Sequence, residues 1–182
     1  MPEPLIRKEK EGASYKRPPE VEAWILKLET TEVEERLRQF AIPSRKSIGY
    51  VPSEALFYFL RRAWVDGEHG DFKILFDVLI KRIELSLRSA ISDLRFSSAG
   101  SIREEIMGRF AEKIAKDCTR QTGLMDFFEV HFDQAFAAFR ITALRQIGPT
   151  VLEIVPLGTY EENGLEISAE VEAAAAQFLS GD

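Results

Sequence analysis

The stretch that decides the fold is DFFEVHFDQAFAAFRITALRQI, which runs from Asp126 to Ile147. Five of its residues are phenylalanines, at positions 127, 128, 132, 136 and 139. Phenylalanines repeated at a helical period are far more often core residues than the wall of a cofactor pocket. Asp126 and Glu129 have the spacing of a capping box, and Gly148-Pro149 ends the pattern. The sequence therefore predicts one buried helix over residues 126–147.

The preceding chain repeats this helical period and predicts an all-α fold, a compact helical bundle. Further helices are expected from Pro19, after Thr31, from Ser53, over about 71–95 and from Ser101. The pairs Thr31–Glu34 and Ser101–Glu104 also have capping-box spacing. Residues 53–64 are apolar on more than one face, which indicates burial on two sides. Gly67 and Gly70 are expected to separate this helix from the next.

The composition divides the chain into three parts. Residues 1–18 are polar and rich in proline, which predicts a flexible arm. Residues 19–147 form the predicted helical domain, whose charges nearly balance. Residues 148–182 contain seven acidic and no basic residues and are predicted to be an acidic linker or tail. Within that tail we expect an extended apolar segment, VLEIVPLG, and a short helix over Ala169–Leu179. A neutral body permits contact with DNA without indicating it.

The sequence offers no sign of an enzyme. Metal-binding, nucleotide-binding and hydrolase motifs are missing from it, so we expect no catalytic residue, no metal and no cofactor. The lone cysteine, Cys118, is expected to be a small core residue. One cysteine, no signal peptide and no apolar run of about 20 residues together predict a cytoplasmic protein without a membrane span. Lys81, Arg82 and Arg88 are expected to form a solvated basic edge.

Three segments in a fixed order carry a family resemblance. GDFKILF, residues 70–76, opens a long helix after a glycine-aspartate pair. IREEIMGRFAEKI, residues 102–114, forms a second helix, and a third begins near Phe128 and closes on TALR, residues 142–145. Over residues 70–147 this series resembles region 2 of bacterial sigma-70-type factors of the extracytoplasmic-function kind.

The resemblance implies a role in transcription initiation. The second helix would bind core RNA polymerase through Glu104, Glu105 and Arg109. On the third helix, His131, Arg140 and Arg145 would contact promoter DNA, weakly in the absence of polymerase. An anti-sigma-like inhibitory protein would control the factor by covering its polymerase-facing helix.

The chain also departs from the family pattern. The polymerase-binding helix usually carries a glutamine-glutamate pair, where this chain has Met107-Gly108-Arg109. The third helix usually offers a tryptophan and an arginine-asparagine pair, where this chain has His131, Ala137 and Ala138. No helix-turn-helix region 4 follows the region-2-like part up to Asp182. The alternative function is a non-enzymatic helical adaptor that binds a partner protein without contact to DNA.

Overall fold

The computed structural model describes residues 2–6, 15–92, 98–120 and 123–147. These residues form six α-helices, one short 3-10 helix and no strand, so the predicted all-α class is confirmed for them. The α-helices are α1 (Pro19–Glu29), α2 (Val33–Phe40), α3 (Ser53–Val65), α4 (His69–Ala90), α5 (Ala99–Arg120) and α6 (Phe132–Ile147). The 3-10 helix is Asp126–Glu129. No helix within the described ranges is both long and apolar enough to cross a membrane.

The chain divides into two units. Unit 1 contains residues 1–82 and 115–132, and unit 2 contains residues 83–114 and 133–182. Both α4 and α5 therefore contribute residues to each unit. The predicted extended segment VLEIVPLG, the predicted helix Ala169–Leu179 and the whole acidic tail lie outside the described residues.

Among the described helices, α3 supplies the largest share of the core of unit 1. Its side chains are buried on nearly every face, which confirms the prediction of burial on two sides, and from Ala55 to Leu60 none is more than 5% exposed. Phe57 packs against the rings of Phe128 and Phe132, at centroid distances of 5.6 and 6.0 Å. On another side, α1 contacts α3 and buries Val21, Ile25 and Leu28.

The end of α3 is fixed by its backbone. Gly67 has φ of +77°, a left-handed conformation that favours glycine. The N–H of Glu68 donates to the carbonyl of Ala63 at 2.8 Å, and the N–H of Gly67 donates to that of Trp64 at 3.2 Å. This pair of bonds is a Schellman motif. Gly70, predicted to be a second break, instead lies inside the first turn of α4, where the backbone N–H groups need no intrahelical partner.

Arg82 on α4 is not part of a solvated edge, which corrects the prediction for this residue. Its guanidinium is half-buried and donates to the carbonyl oxygens of Val51 at 2.9 Å and Phe40 at 3.0 Å. It also lies over the ring of Tyr50, 4.4 Å from its centroid. Burial lowers the pKa of Arg82. Arg82 therefore fixes the connection between α2 and α3 against α4 within unit 1.

The three predicted capping boxes are wrong. Helix α2 begins at Val33 with no side-chain cap, and the Thr31 hydroxyl donates to the Lys27 carbonyl instead. Helix α5 begins at Ala99, because the carbonyl of Ser98 already accepts the N–H of Ile102, so Ser101 lies within the first turn. The 3-10 helix begins at Asp126 with Met125 at its N-cap and no side-chain cap bond, and the Asp126 carboxylate accepts the distant N–H of Ile6.

The predicted helix over 126–147 is two elements. A 3-10 turn comes first, with i to i+3 bonds such as Phe128 N–H to the carbonyl of Met125 at 3.0 Å. Helix α6 then starts at Phe132. All five phenylalanines of the stretch are nonetheless buried, between 0 and 8% exposed, so the prediction that they are core residues is confirmed.

Unit 2 has its own aromatic core. Phe110 of α5 is fully buried and packs against Phe136 and Phe139 of α6, at centroid distances of 5.2 and 5.3 Å. Ile106 and Ala143 are also fully buried. Because aromatic rings bury large areas in specific geometries, this group joins α5 to α6 within the unit.

Phe110→Ala should lower the free energy of unfolding by about 3–5 kcal/mol, because it leaves a cavity among the packed rings. Urea unfolding followed by circular dichroism measures the change. Leu85→Ala is the control in the same unit, since Leu85 is 61% exposed, and it should stay within about 0.5 kcal/mol of the parent chain. Equal effects of the two substitutions would contradict this account of the core.

Candidate functional site

Five charged residues meet inside unit 1, and we call them the buried ionic cluster: Arg17, Arg61, Asp117, Asp126 and Glu129. Arg61, on α3, is the centre. Its guanidinium lies 3.1 Å from Asp117 Oδ2 and 3.0 Å from Asp126 Oδ1, and it donates a short hydrogen bond to Glu129. The three carboxylates are almost completely buried, at 1–2% side-chain exposure.

Arg17 brings the segment before α1 into the cluster. Its Nε donates to Glu129 Oε2 at 2.8 Å, and its Nη1 donates to the backbone carbonyl of Glu3 at 2.8 Å. The N–H of Ile6 donates to Asp126 Oδ2 at 2.6 Å, and Leu5 is only 6% exposed. Residues 2–6 and 15–18 of the predicted flexible arm are thus joined to the cluster through Glu3, Ile6 and Arg17.

The electrostatics of the cluster keep Arg61 charged. Burial lowers the pKa of Arg61, but the carboxylates of Glu129, Asp117 and Asp126 raise it further, so its pKa lies above the ordinary value. Such a guanidinium does not release a proton in the physiological range. Fixed charge of this kind holds segments together: it connects α3, the end of α5, the 3-10 helix and the residues before α1.

A cavity of about 110 Å³ lies beside the cluster. Its wall includes Tyr58, Val65 and Cys118, besides the ionic residues and residues 3–6. Cys118 is 5% exposed, which confirms the prediction of a small core residue. Burial, with a smaller effect of Asp117, raises the pKa of its thiol from 9.0 to about 11. The thiol is therefore neutral at physiological pH and a poor nucleophile.

The residues predicted to bind polymerase lie together on α5 in unit 2, and we call them the α5 charged surface. Glu104 and Glu105 are exposed, and Arg109 is half-buried. Arg109 Nε donates to Glu105 Oε1 at 2.7 Å, while its Nη1 donates to Gln146 Oε1 on α6 at 2.8 Å. Arg109 thus fixes the position of Glu105 and joins this surface to the end of α6.

The residues predicted to contact DNA do not form one such group. His131 is exposed, belongs to unit 1 and contacts the ring of Phe127 at a centroid distance of 5.6 Å. Arg140 and Arg145 belong to unit 2 and lie five positions apart on α6. At 3.6 residues per turn they point about 140° apart around the helix axis. Arg145 is exposed and precedes Gln146 in the sequence.

Sequence reasoning missed the buried ionic cluster. It assigned Asp126 and Glu129 to capping, and it did not single out Arg17, Arg61 or Asp117. One signal was present: Arg61 lies in a helix that is apolar on most faces, so its charge requires a partner inside the fold. The partners themselves come from 56 to 68 positions away along the chain, which periodicity does not reveal.

No protein-family model, curated protein or solved structure matches the chain. Among the described residues, no three His, Cys, Asp or Glu side chains are grouped so that they could hold a metal ion. The candidate functional sites therefore come from the geometry of the chain itself. They are the buried ionic cluster in unit 1 and the α5 charged surface in unit 2.

Replacing Arg61, the central cation of the buried ionic cluster, tests whether the stability of unit 1 depends on it. Arg61→Met should lower the free energy of unfolding by about 3–5 kcal/mol, because three buried carboxylates lose their main counter-charge. Urea titration gives the value. The matched control is Arg38→Met, which removes an exposed pair with Glu35 and should cost less than about 1 kcal/mol. A loss at Arg61 no larger than at Arg38 would refute the role assigned to the cluster.

The raised pKa of Cys118 predicts both its reactivity and a pH dependence. At pH 8 alkylation by iodoacetamide, followed by mass spectrometry, should be much slower in the folded chain than in urea. Because the folded pKa exceeds the unfolded one, protonated Cys118 stabilises the fold below pH 9, and this contribution is lost as the pH rises towards about 11. Equal alkylation rates in folded and unfolded protein would contradict the burial of the thiol.

Proposed function

We propose that the chain is a sigma-70 region-2-like factor that binds core RNA polymerase in the cytoplasm and takes part in transcription initiation. The observation that carries the proposal is the α5 charged surface. Its two glutamates are exposed, and Arg109 ties Glu105 to α6 by a second hydrogen bond to Gln146. A docking surface benefits from such positioning, because side chains ordered before binding lose less entropy on binding.

The helix series gives further support. Helices α4, α5 and α6 follow one another over the region of the resemblance and are 22, 22 and 16 residues long. In unit 2 the rings of Phe136 and Phe139 on α6 pack on Phe110 of α5, while Glu104 and Glu105 of α5 are exposed and available to a partner. An inhibitory protein of the anti-sigma kind would cover the same α5 charged surface and compete with polymerase.

Contact with promoter DNA is the second part of the proposal. His131 and Ala138 both occupy positions where the sigma-70-type family offers a polar or aromatic side chain. In this chain His131 is exposed, but Ala138 is only 3% exposed. Arg145 is exposed and can meet phosphate. Because residues 1–147 are almost neutral, DNA affinity without polymerase should be weak.

One observation favours the alternative, an adaptor without a DNA role. In unit 1, Trp64 packs edge to face on Phe72, which stacks on Phe76, and all three rings remain partly exposed. Val65 and Ile74, on the same two helices, are 51 and 46% exposed. Partly exposed aromatic and aliphatic side chains are typical of protein-binding surfaces.

A binding assay with purified bacterial core RNA polymerase separates the two functions. The immobilised full chain should retain polymerase in a salt-sensitive manner, and promoter DNA should be retained only when polymerase is present. Glu104→Lys with Glu105→Lys should weaken retention by about tenfold or more, equivalent to at least 1.4 kcal/mol. The substituted charges would repel a basic docking surface, since like charges oppose association.

The control pair is Glu34→Lys with Glu35→Lys on α2. These glutamates are also exposed neighbours, and Glu35 also pairs with an arginine on its own helix, Arg38. The control should bind polymerase like the parent chain, and circular dichroism should show both variants folded. Failure of the parent chain to retain polymerase, or an equal loss in both variants, would overturn the sigma-like proposal and leave the adaptor function.

A further inference from the structure

Unit 1 contains an open groove that the sigma-like function does not use. It has a volume of about 400 Å³ and lies between α2, α3 and the start of α4. Its apolar lining consists of Leu37, Phe59, Ala63 and Leu75.

The rim of the groove is acidic. Four carboxylates line it, Glu29, Asp66, Glu68 and Asp71, against two guanidinium groups, Arg36 and Arg62. An excess of negative charge around an apolar floor favours a ligand that is both cationic and apolar.

The two cations of the rim are already engaged. Arg62 pairs with Glu29 at 3.0 Å and with Asp66 at 3.2 Å, so both of these carboxylates have a counter-charge. Arg36 lies over the Phe59 ring, 5.0 Å from its centroid. Glu68 and Asp71 form no side-chain hydrogen bond or ion pair with any described residue, and Glu68 is exposed. The uncompensated charge of the groove therefore lies at the start of α4.

Proteins bind peptides in a few recurring ways, and the structure around the groove favours one of them. Strand addition needs an open sheet edge, and the described residues contain no strand. Recognition of a proline-rich segment needs a row of exposed aromatic rings, whereas Phe59, the aromatic residue of this lining, is 5% exposed and has Arg36 over its face. A groove walled by helices with an apolar floor suits an amphipathic helix.

We propose that this groove binds a helix of a partner protein whose apolar stripe is flanked by lysine or arginine. The apolar side chains of the helix contact Leu37, the most exposed apolar residue of the lining, and its cations pair with Glu68 and Asp71. The site lies in unit 1 and the α5 charged surface in unit 2, so this proposal does not rest on polymerase binding.

The test uses the full chain and a fluorescent synthetic peptide of leucine and lysine, about 18 residues long so that it can form a helix. Fluorescence anisotropy should show saturable binding that weakens as salt is raised, because the paired charges are screened. A twin peptide with glutamate in place of lysine should not bind. Equal binding of both peptides would overturn the proposal, because the groove would then not select cations.

Two matched double variants locate the site. Glu68→Gln with Asp71→Asn should weaken binding of the lysine peptide by about tenfold, as expected for the loss of two charge pairs. Glu20→Gln with Glu22→Gln removes the same charge from exposed residues in the first turn of α1, and it should change affinity less than about twofold. If both pairs weaken binding equally, the peptide senses only net charge and the groove is not its site.

A third variant tests the apolar floor. Leu37 is only partly buried, so the Leu37→Ala variant should still fold. Its affinity for the lysine peptide should fall by about threefold or more, because binding then covers less apolar area. Urea midpoints of all variants separate loss of binding from loss of folding. Unchanged affinity in folded Leu37→Ala would refute insertion of the peptide into the groove.

Discussion

The buried guanidinium of Arg61 is the constraint on which unit 1 depends. A charge removed from water is tolerated only when opposite charges and hydrogen bonds replace its hydration. Asp117, Asp126 and Glu129 supply those charges from α5 and from the 3-10 helix. Three carboxylates exceed one cation, so Arg17 and the backbone N–H of Ile6 complete the set. The chain before α1 is thereby bound to elements more than 100 positions later.

This requirement explains why the phenylalanine-rich stretch is not one helix. The period of its apolar residues is helical throughout, and all five rings are buried as that period predicts. The prediction was wrong at its first turn, where Asp126 and Glu129 direct their carboxylates to Arg61. A 3-10 helix places residues i and i+3 on the same side, so both acids reach the same guanidinium. Local spacing could not identify a partner that lies 65 and 68 positions earlier.

A feature was predicted correctly from the sequence when the residues that form it lie close together along the chain. The helices and their buried faces depend on neighbours three and four positions away, so α1, α3 and the core of α5 and α6 could be predicted. Capping boxes are equally local, yet the Thr31 hydroxyl donates to the Lys27 carbonyl four positions earlier and the Asp126 carboxylate accepts an N–H from 120 positions earlier. Ser, Thr and Asp side chains can bond to several backbone groups, so spacing alone does not decide which one they use. Arg82 shows the same limit, since its carbonyl partners lie 31 and 42 positions away.

The carboxylates of this chain fall into two groups, which differ in their burial and in what their charge does. Asp117 and Glu129 are buried against arginine side chains, so their charge serves to hold unit 1 together. Glu68 and Glu104 keep their water, and exchanging that water for a cation of a partner costs far less than desolvating a buried ion. Partner binding by this chain is thus expected at its exposed carboxylates.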